Sequence, residues 1–236
     1  MTTPMTNERF LDRWEAFKGE PQQVSGAWLL CDAIRALDGG TVLLDEQAPW
    51  ALRFSEKPPS PSTTNPLNVP FQSQNDNASG QGSRECFSSS CAMLAMYWGK
   101  VKNDDEYNKV RARYGDTTSA EAQLSALRSL GLVANFYTNW GKANLVEQIN
   151  RGRPVATGWL HHSHFTSPSG GGHWTVCIGH SSNATIHNDP NGKPDLVNGN
   201  YTPDLNGKAL SFADQHWLPR FMPDGPNTGW TLLAYP

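Results

Sequence analysis

Three residues of this 236-residue chain have side chains that together suit nucleophilic catalysis. Cys86 lies just before an apolar helix signal, and the free N–H groups and positive end of a helix favour the thiolate form of a cysteine. His173 follows three glycines and opens a strand-like alternation. Asp189 ends the next predicted strand, where a carboxylate can hold an imidazole in one tautomer and orientation. Together they predict a thiol nucleophile, a base and an orienting acid that converge in the folded chain.

A thiol attack on a carbonyl also needs hydrogen-bond donors for the oxyanion that forms. Gln74 lies in the loop before the predicted helix, and its side-chain amide can act together with the backbone N–H of Cys86. Gln72 and Gln81 are alternatives in the same loop, and Gln74 is the preferred candidate.

The remaining cysteines are predicted to be structural. Cys91 falls inside the helix, in line with its apolar residues, and Cys31 and Cys177 lie within apolar patterns. The first ten residues are polar and carry no secretory signal, so we expect the protein in the cytoplasm of the producing cell. Disulfide bonds are therefore not expected.

The composition excludes two classes of partner. A net charge of -3 and the lack of a basic run give no basis for nucleic-acid binding. No apolar stretch approaches the roughly 20 residues that a membrane span needs, so membrane insertion is not expected.

Two groups of polar residues resemble metal ligands but are not predicted to bind one. In a strand His162 and His164 would share a face, yet no cysteine or acidic residue stands nearby at a ligand spacing. Asp189, Asn191 and Asp195 offer oxygens to calcium, but no acidic residue closes the loop at the EF-hand spacing. We predict no metal or other cofactor, and we interpret the histidine-rich segment as a loop bordering the substrate cleft.

Three regions follow from the apolar spacing and the turn residues. Residues 1–57 are predicted to be a helical N-terminal extension, with helices at 7–18 and 24–37 and a short tail. Residues 58–67 are a Pro/Ser-rich linker. Residues 68–236 are predicted to form the main domain, with helices first and an antiparallel sheet later, which is an α+β arrangement.

The predicted elements of the main domain alternate between the two periodicities. They are a short strand at 69–71, helices at 88–98, 104–114, 119–130 and 143–150, and strands at 132–137, 155–160, 173–179, 184–189 and 229–235. In the strand predicted at 173–179, alternation places Trp174, Val176 and Ile178 on the core face. His173 and Thr175 are then predicted to face the start of the cysteine-bearing helix.

Four short segments together resemble one known family. They are VPFQSQNDN at 69–77, CFSSSCAM at 86–93, GGGHW at 170–174 and DPNG at 189–192. The set is similar to papain-like peptidases of the bacteriocin-leader-processing type, which carry an extended VPY-x-x-Q, a CGP-[AT]-S-x-A-M helix start, then GH and DP. It most resembles phage and cyanophage members, whose fold is associated with cell-wall cleavage. The similarity covers about residues 69–236.

The resemblance implies a fold, a site and a substrate. The fold is a papain-like cysteine hydrolase, with the helix that carries the nucleophile packed on an antiparallel sheet. Cys86 matches the nucleophile and His173 the base, while Asp189 matches the orienting acid and Gln74 the oxyanion glutamine. The implied activity is that of an endolysin-like peptidase acting on the peptides of bacterial peptidoglycan. The chain departs from the pattern at residues 87–88, where Phe-Ser replaces Gly-Pro, and in a longer gap between the glutamine and the cysteine.

Three alternatives stay open from the sequence. They are a protein-processing peptidase of the same fold, an acyltransferase that uses the same triad, and a non-enzymatic wall-binding or structural module. The sequence identifies no substrate-binding residues.

Overall fold

The computed structural model describes residues 42–45, 48–54 and 65–236. The chain divides into two units, Met1–Pro61 and Ser62–Pro236. In the first unit strands β1 (Val42–Asp45) and β2 (Ala48–Phe54) pair antiparallel, and the sequence patterns had not indicated this pair. The helices predicted at 7–18 and 24–37 lie outside the described residues.

The second unit begins with helices and continues as a sheet. The helices are α1 (Cys86–Tyr97), α2 (Asp104–Arg111), α3 (Ala120–Ser129), α4 (Lys142–Asn150) and α5 (Asp214–Phe221). The strands are β3 (Val133–Trp140), β4 (Val155–Trp159), β5 (His173–His180), β6 (Ala184–Asn188), β7 (Leu210–Ala213) and β8 (Gly229–Tyr235). They form one antiparallel sheet in the order β3-β8-β4-β5-β6-β7, which confirms the predicted α+β class.

Local sequence explains where the early helices start. Asn103 caps α2 by accepting the N–H of Glu106 at 2.9 Å, and Ser119 caps α3 by accepting the N–H of Ala122 at 3.3 Å. α1 has no such side-chain cap, because the side chain of Glu85 at its N-cap accepts no N–H of the first turn. The N-terminal N–H groups of α1 therefore remain available to other partners.

The prediction of a strand at 69–71 is wrong. The segment forms no ladder, but it is hydrogen-bonded to the sheet. Two separate hydrogen bonds attach this part of the chain to β5 and β6. The N–H of Leu67 donates to Ile178 O at 2.7 Å, and Asn188 Nδ2 donates to Val69 O at 3.2 Å. The register between β5 and β6 shifts at Ile178, and its carbonyl accepts the Leu67 N–H. Pro70 has no N–H with which to extend this pairing into a ladder.

Trp174, Val176 and Ile178 of β5 pack in the core as predicted. His173 approaches Cys86 as predicted, but the predicted direction of Thr175 is wrong. Trp174 stacks on Phe87, the second residue of α1, so α1 covers the face that carries Trp174. Thr175 points to the opposite face and joins a buried polar ladder, Thr157–Thr175–His187–Thr185, with successive side-chain distances of 3.0, 3.0 and 2.9 Å. The core between α1 and the sheet includes Ala92, Met93, Leu94 and Ala95, all fully buried. No helix within 65–236 is long and apolar enough to cross a membrane.

Candidate active site

Cys86 is the first residue of α1, so its N–H belongs to the turn that has no intrahelical acceptor. Further along, the amide of Ser89 has such an acceptor and donates to Glu85 O at 2.8 Å. Cys86 is partly exposed, whereas Cys91 and Cys177 are fully buried free thiols. Burial raises the pKa of Cys91 far above its usual value and that of Cys177 to about 12. Among the cysteines of the described residues, Cys86 alone combines a helix N-terminus with access to solvent.

His173 lies between the other two predicted residues. Its Nε2 donates to Asp189 Oδ1 at 2.8 Å, and the two residues are 4% and 0% exposed. The charge of the Cys86 side chain and a hydrogen bond to it also raise the pKa of His173, so the sulfur lies within reach of the ring. Because Nε2 faces Asp189, the nitrogen that faces Cys86 is Nδ1. The structure thus brings the three side chains into one chain of contacts, from thiol to imidazole to carboxylate.

The surroundings of His173 favour its charged form. Burial lowers the pKa of His173. This is more than offset by the negative charges of Asp189 and Cys86 and the hydrogen bonds to both, which raise the pKa to about 10. The ring is therefore an imidazolium at neutral pH. Since Asp189 only accepts hydrogen bonds when ionised, Nε2 keeps its proton and Nδ1 carries the one that can be exchanged.

Gln74 is buried beside this group, while its two rivals are engaged elsewhere or exposed. The backbone N–H of Gln74 donates to Pro190 O at 2.8 Å, which attaches its loop to the turn that holds Asp189. Its Nε2 donates one hydrogen to Gly82 O at 2.8 Å, and the second hydrogen is left for another acceptor. Gln72 uses both its amide atoms on nearby backbone groups, and Gln81 is partly exposed. Gln74 stays the preferred candidate for the oxyanion donor.

An aromatic stack that the sequence analysis missed joins the two elements that carry Cys86 and His173. Phe87 follows Cys86 and Trp174 follows His173, and their rings stack at 3.7 Å between centroids with an 8° interplanar angle. Gly158 makes room for this, since a Cβ there would lie 3.0 Å from the Trp174 ring. Phe87 stands where the resembling families have glycine, and the stack gives this departure a structural role.

Two further residues beside the site gave no local sequence signal. Tyr201 donates its hydroxyl to Asp189 Oδ2 at 3.0 Å. Arg220 is fully buried on α5, and its guanidinium donates to five backbone carbonyls in two loops. These carbonyls belong to Leu160, His162, Ser163, Leu196 and Val197. Arg220 therefore fixes the histidine-rich loop after β4 to the loop that precedes Tyr201.

The histidine-rich loop borders the site, but its side chains do not gather as metal ligands. The ring of His161 lies 5.7 Å from that of His173, and burial, followed by the charges of His173 and His162, lowers the pKa of His161 to about 4. His162 bonds to Asn200, and His164 bonds to Thr166 at 2.9 Å. Within the described ranges no group of three or more His, Cys, Asp or Glu side chains is placed to hold a metal ion.

A polar cavity of about 600 Å³ opens beside the start of α1. One wall is Glu85, the residue directly before Cys86, and the opposite wall comes from α2 and the loop after it. Its lining carries both signs of charge and includes Gln81, Glu85, Asp105, Lys109, Arg111 and Asp116. Arg111 is 9% exposed, and its Nε has no hydrogen-bond partner among the described residues. Its lining does not include Cys86, His173 or Asp189, so the cavity neighbours the candidate site and is not part of it.

The fold and the site together define a papain-like cysteine peptidase. A model of the family described as papain-like cysteine protease AvrRpt2 matches residues 63–199, a range that contains the four residues selected from the sequence. The chain belongs to this family, which confirms the prediction of a cysteine peptidase. No curated protein matches the chain.

Three solved peptidase structures are similar to the chain, and the first of them supports the fold. A C39-like peptidase from Bacillus anthracis aligns with a TM-score of 0.50 at 14% identity, over 73% of this chain and 98% of that one. The peptidase domain of Streptococcus ComA, a bi-functional ABC transporter, aligns with a TM-score of 0.46 at 16% identity, over 65% and 93%. A double-glycine-motif protease from an AMS/PCAT transporter, solved with its leader peptide, aligns with a TM-score of 0.45 at 21% identity, over 74% and 96%.

Proposed function

We propose that the chain is a cysteine endopeptidase in which Cys86 is the nucleophile and His173 the proton carrier. The Cys86 sulfur attacks the carbonyl carbon of a peptide bond, and the carbonyl oxygen becomes an oxyanion. The N–H of Cys86 and the free hydrogen of Gln74 Nε2 stabilise this charge. His173 Nδ1 gives its proton to the leaving amine as the C–N bond breaks. Water, deprotonated by the same nitrogen, then attacks the acyl carbon; the S–C bond breaks, the acid product leaves, and the thiolate–imidazolium pair is restored.

The observation that carries this mechanism is the continuous contact from Cys86 through His173 to Asp189 at the start of α1. The charge of the buried carboxylate raises the pKa of His173, and the Cys86 sulfur lies between this ring and the N-terminus of α1. Asp189 orients the ring and accepts no proton during the reaction.

For the substrate we propose the crosslinking or stem peptides of bacterial peptidoglycan. The support is the resemblance of the 69–77, 86–93, 170–174 and 189–192 segments to phage proteins associated with cell-wall cleavage. A second candidate is the processing of a protein substrate, which is favoured by the description of the matching family as a protease.

The test compares the two substrates in one assay. Purified peptidoglycan and unfolded casein are incubated with the protein in water enriched in ¹⁸O, and the released fragments are identified by mass spectrometry. Cys86→Ala removes the nucleophile, and Cys91→Ala is the matched control because Cys91 is buried in the same helix. We expect ¹⁸O in new carboxylates of peptidoglycan fragments with wild type and Cys91→Ala, and none with Cys86→Ala.

Other outcomes distinguish the alternatives. Cleavage of casein alone would replace the peptidoglycan proposal with protein processing. Added glycinamide that appears in the products in place of ¹⁸O would identify an acyltransferase. Cleavage that persists in Cys86→Ala would refute the assignment of the nucleophile.

A further inference from the structure

Tyr201 is brought to the site by a tight loop between β6 and β7. The loop leaves Asp189, turns at residues 195–200 and returns as an isolated antiparallel bridge between Pro194 and Tyr201. The N–H of Thr202 donates to Lys193 O at 3.0 Å and closes the return. As a result the hydroxyl of Tyr201 reaches the carboxylate of Asp189, the residue at which the loop begins.

The ring and the hydroxyl of Tyr201 both contact the His173–Asp189 pair. The hydroxyl donates to Asp189 Oδ2 at 3.0 Å and lies 3.3 Å from Oδ1. The ring meets the His173 ring edge-on, with 5.3 Å between centroids and a 72° interplanar angle. Burial, followed by the charge of Asp189, raises the pKa of Tyr201 well above its usual value, so the hydroxyl stays a donor at all working pH values.

The two oxygens of Asp189 have different partners. Oδ1 accepts His173 Nε2 at 2.8 Å and the backbone N–H of Asn191 at 2.9 Å. Oδ2 has one donor among the described residues, the Tyr201 hydroxyl. Asp189 is fully buried, so without that hydroxyl one oxygen of an ionised carboxylate would have no donor. The carboxylate would then rotate or draw in water, and its bond to His173 would weaken.

We propose that Tyr201 is a positioning residue that holds Asp189 in the orientation needed to keep His173 charged. The proposal rests on the assigned roles of His173 and Asp189 in the proposed mechanism. Tyr201 contacts the carboxylate through its hydroxyl and acts on the reaction only through Asp189 and His173.

The test is Tyr201→Phe, which removes one oxygen atom and keeps the ring. Tyr97→Phe is the matched control, because the Tyr97 hydroxyl also donates at 3.0 Å, to Gly152 O outside the site. The titration of the His173 ring is followed by NMR in protein with ¹⁵N-labelled histidine. On peptides that the wild type cleaves, kcat and KM are measured across pH, and melting temperatures verify that both variants fold.

We expect Tyr201→Phe to lower the His173 titration midpoint by about one pH unit, because a carboxylate that turns away from Nε2 attracts the imidazolium less strongly. The alkaline limb of the kcat profile should move down by the same amount, with kcat at its optimum reduced about tenfold and KM nearly unchanged. Tyr97→Phe should change neither quantity. An unchanged or raised midpoint in Tyr201→Phe, or an equal shift in Tyr97→Phe, would overturn the proposal. The titration needs no turnover, so a failure of the proposed peptidase activity would be seen separately.

Discussion

Replacing Asp189 by Asn is the change that tests the electrostatics of the site most sharply. Asn has the same shape, and its oxygen can still accept His173 Nε2 and the Asn191 N–H at the Oδ1 position. The Tyr201 hydroxyl can rotate to accept from the new NH₂ group. The variant is therefore expected to fold, and what it loses is the negative charge.

The size of the effect follows from what holds the pKa of His173 at about 10. Burial alone would place it below the usual 6.5, and Asp189 supplies the first of the opposing interactions. We expect the midpoint to fall to 7 or lower, so that at pH 8 the imidazolium fraction drops from about 99% to below about 10%. kcat/KM should fall about 10²- to 10³-fold, less than in Cys86→Ala, because the proton donor of acylation is mostly lost.

The assay is again NMR titration of the His173 ring, together with kcat/KM against pH. Asp195→Asn is the control, since Asp195 lies in the same loop and accepts the N–H groups of Val197 and Asn198 at 3.0 and 2.9 Å. It should leave the His173 midpoint unchanged. If Asp189→Asn leaves the midpoint near 10, the carboxylate does not hold the charge and this account of the site is refuted.

Four further changes test other parts of the structure. Gly82→Ala puts a Cβ 2.5 Å from the backbone oxygen of Gln74, so it should displace the proposed oxyanion donor. We expect kcat in steady-state assays to fall about 10- to 100-fold, and an unchanged kcat would exclude Gln74 as the oxyanion donor. Arg220→Met removes the buried guanidinium that donates to five backbone carbonyls. It should lower the free energy of unfolding in urea by about 3–5 kcal/mol, and a loss below 1 kcal/mol would contradict its role. Burial lowers the pKa of His187 to about 3, so its contribution to stability is present above pH 6.5 and lost as pH falls toward 3. The free energy of unfolding of His187→Gln should therefore fall less than that of wild type when the pH is lowered from 7 to 4.5. An equal fall in both proteins would contradict this. Cys91→Ser should lower stability by about 1–3 kcal/mol but keep kcat, and a folded, inactive Cys91→Ser would reverse the assignment of the nucleophile.

The sequence indicated most of the fold of the second unit because its elements carry strong local signals. Helix α3 begins after Ser119 and β8 spans Gly229–Tyr235, as predicted. Strand β7 and helix α5 were missed for local reasons. β7 has four residues, and α5 contains Pro219 and begins after Ala213, which gives no side-chain cap.

The site could be predicted only where residue type itself carries chemistry. A cysteine before a helix, a histidine after glycines and an aspartate at a strand end are recognisable from the chain alone. The stack of Phe87 on Trp174, the hydroxyl of Tyr201 and the carbonyl contacts of Arg220 join segments far apart in sequence. Those contacts depend on sheet order and on the path of loops, which no local pattern encodes.

The central claim is that Cys86 and His173 form a reactive ion pair, and the most direct test is the rate of alkylation by iodoacetamide against pH. Peptide mapping by mass spectrometry assigns the label to each cysteine in wild type and in His173→Ala. We predict that Cys86 reacts first and well below pH 8.5, near which an ordinary thiol ionises, while Cys91 and Cys177 react only on unfolding. His173→Ala should abolish the low-pH reactivity. A Cys86 rate that rises only above about pH 8 and is unchanged in His173→Ala would contradict the account.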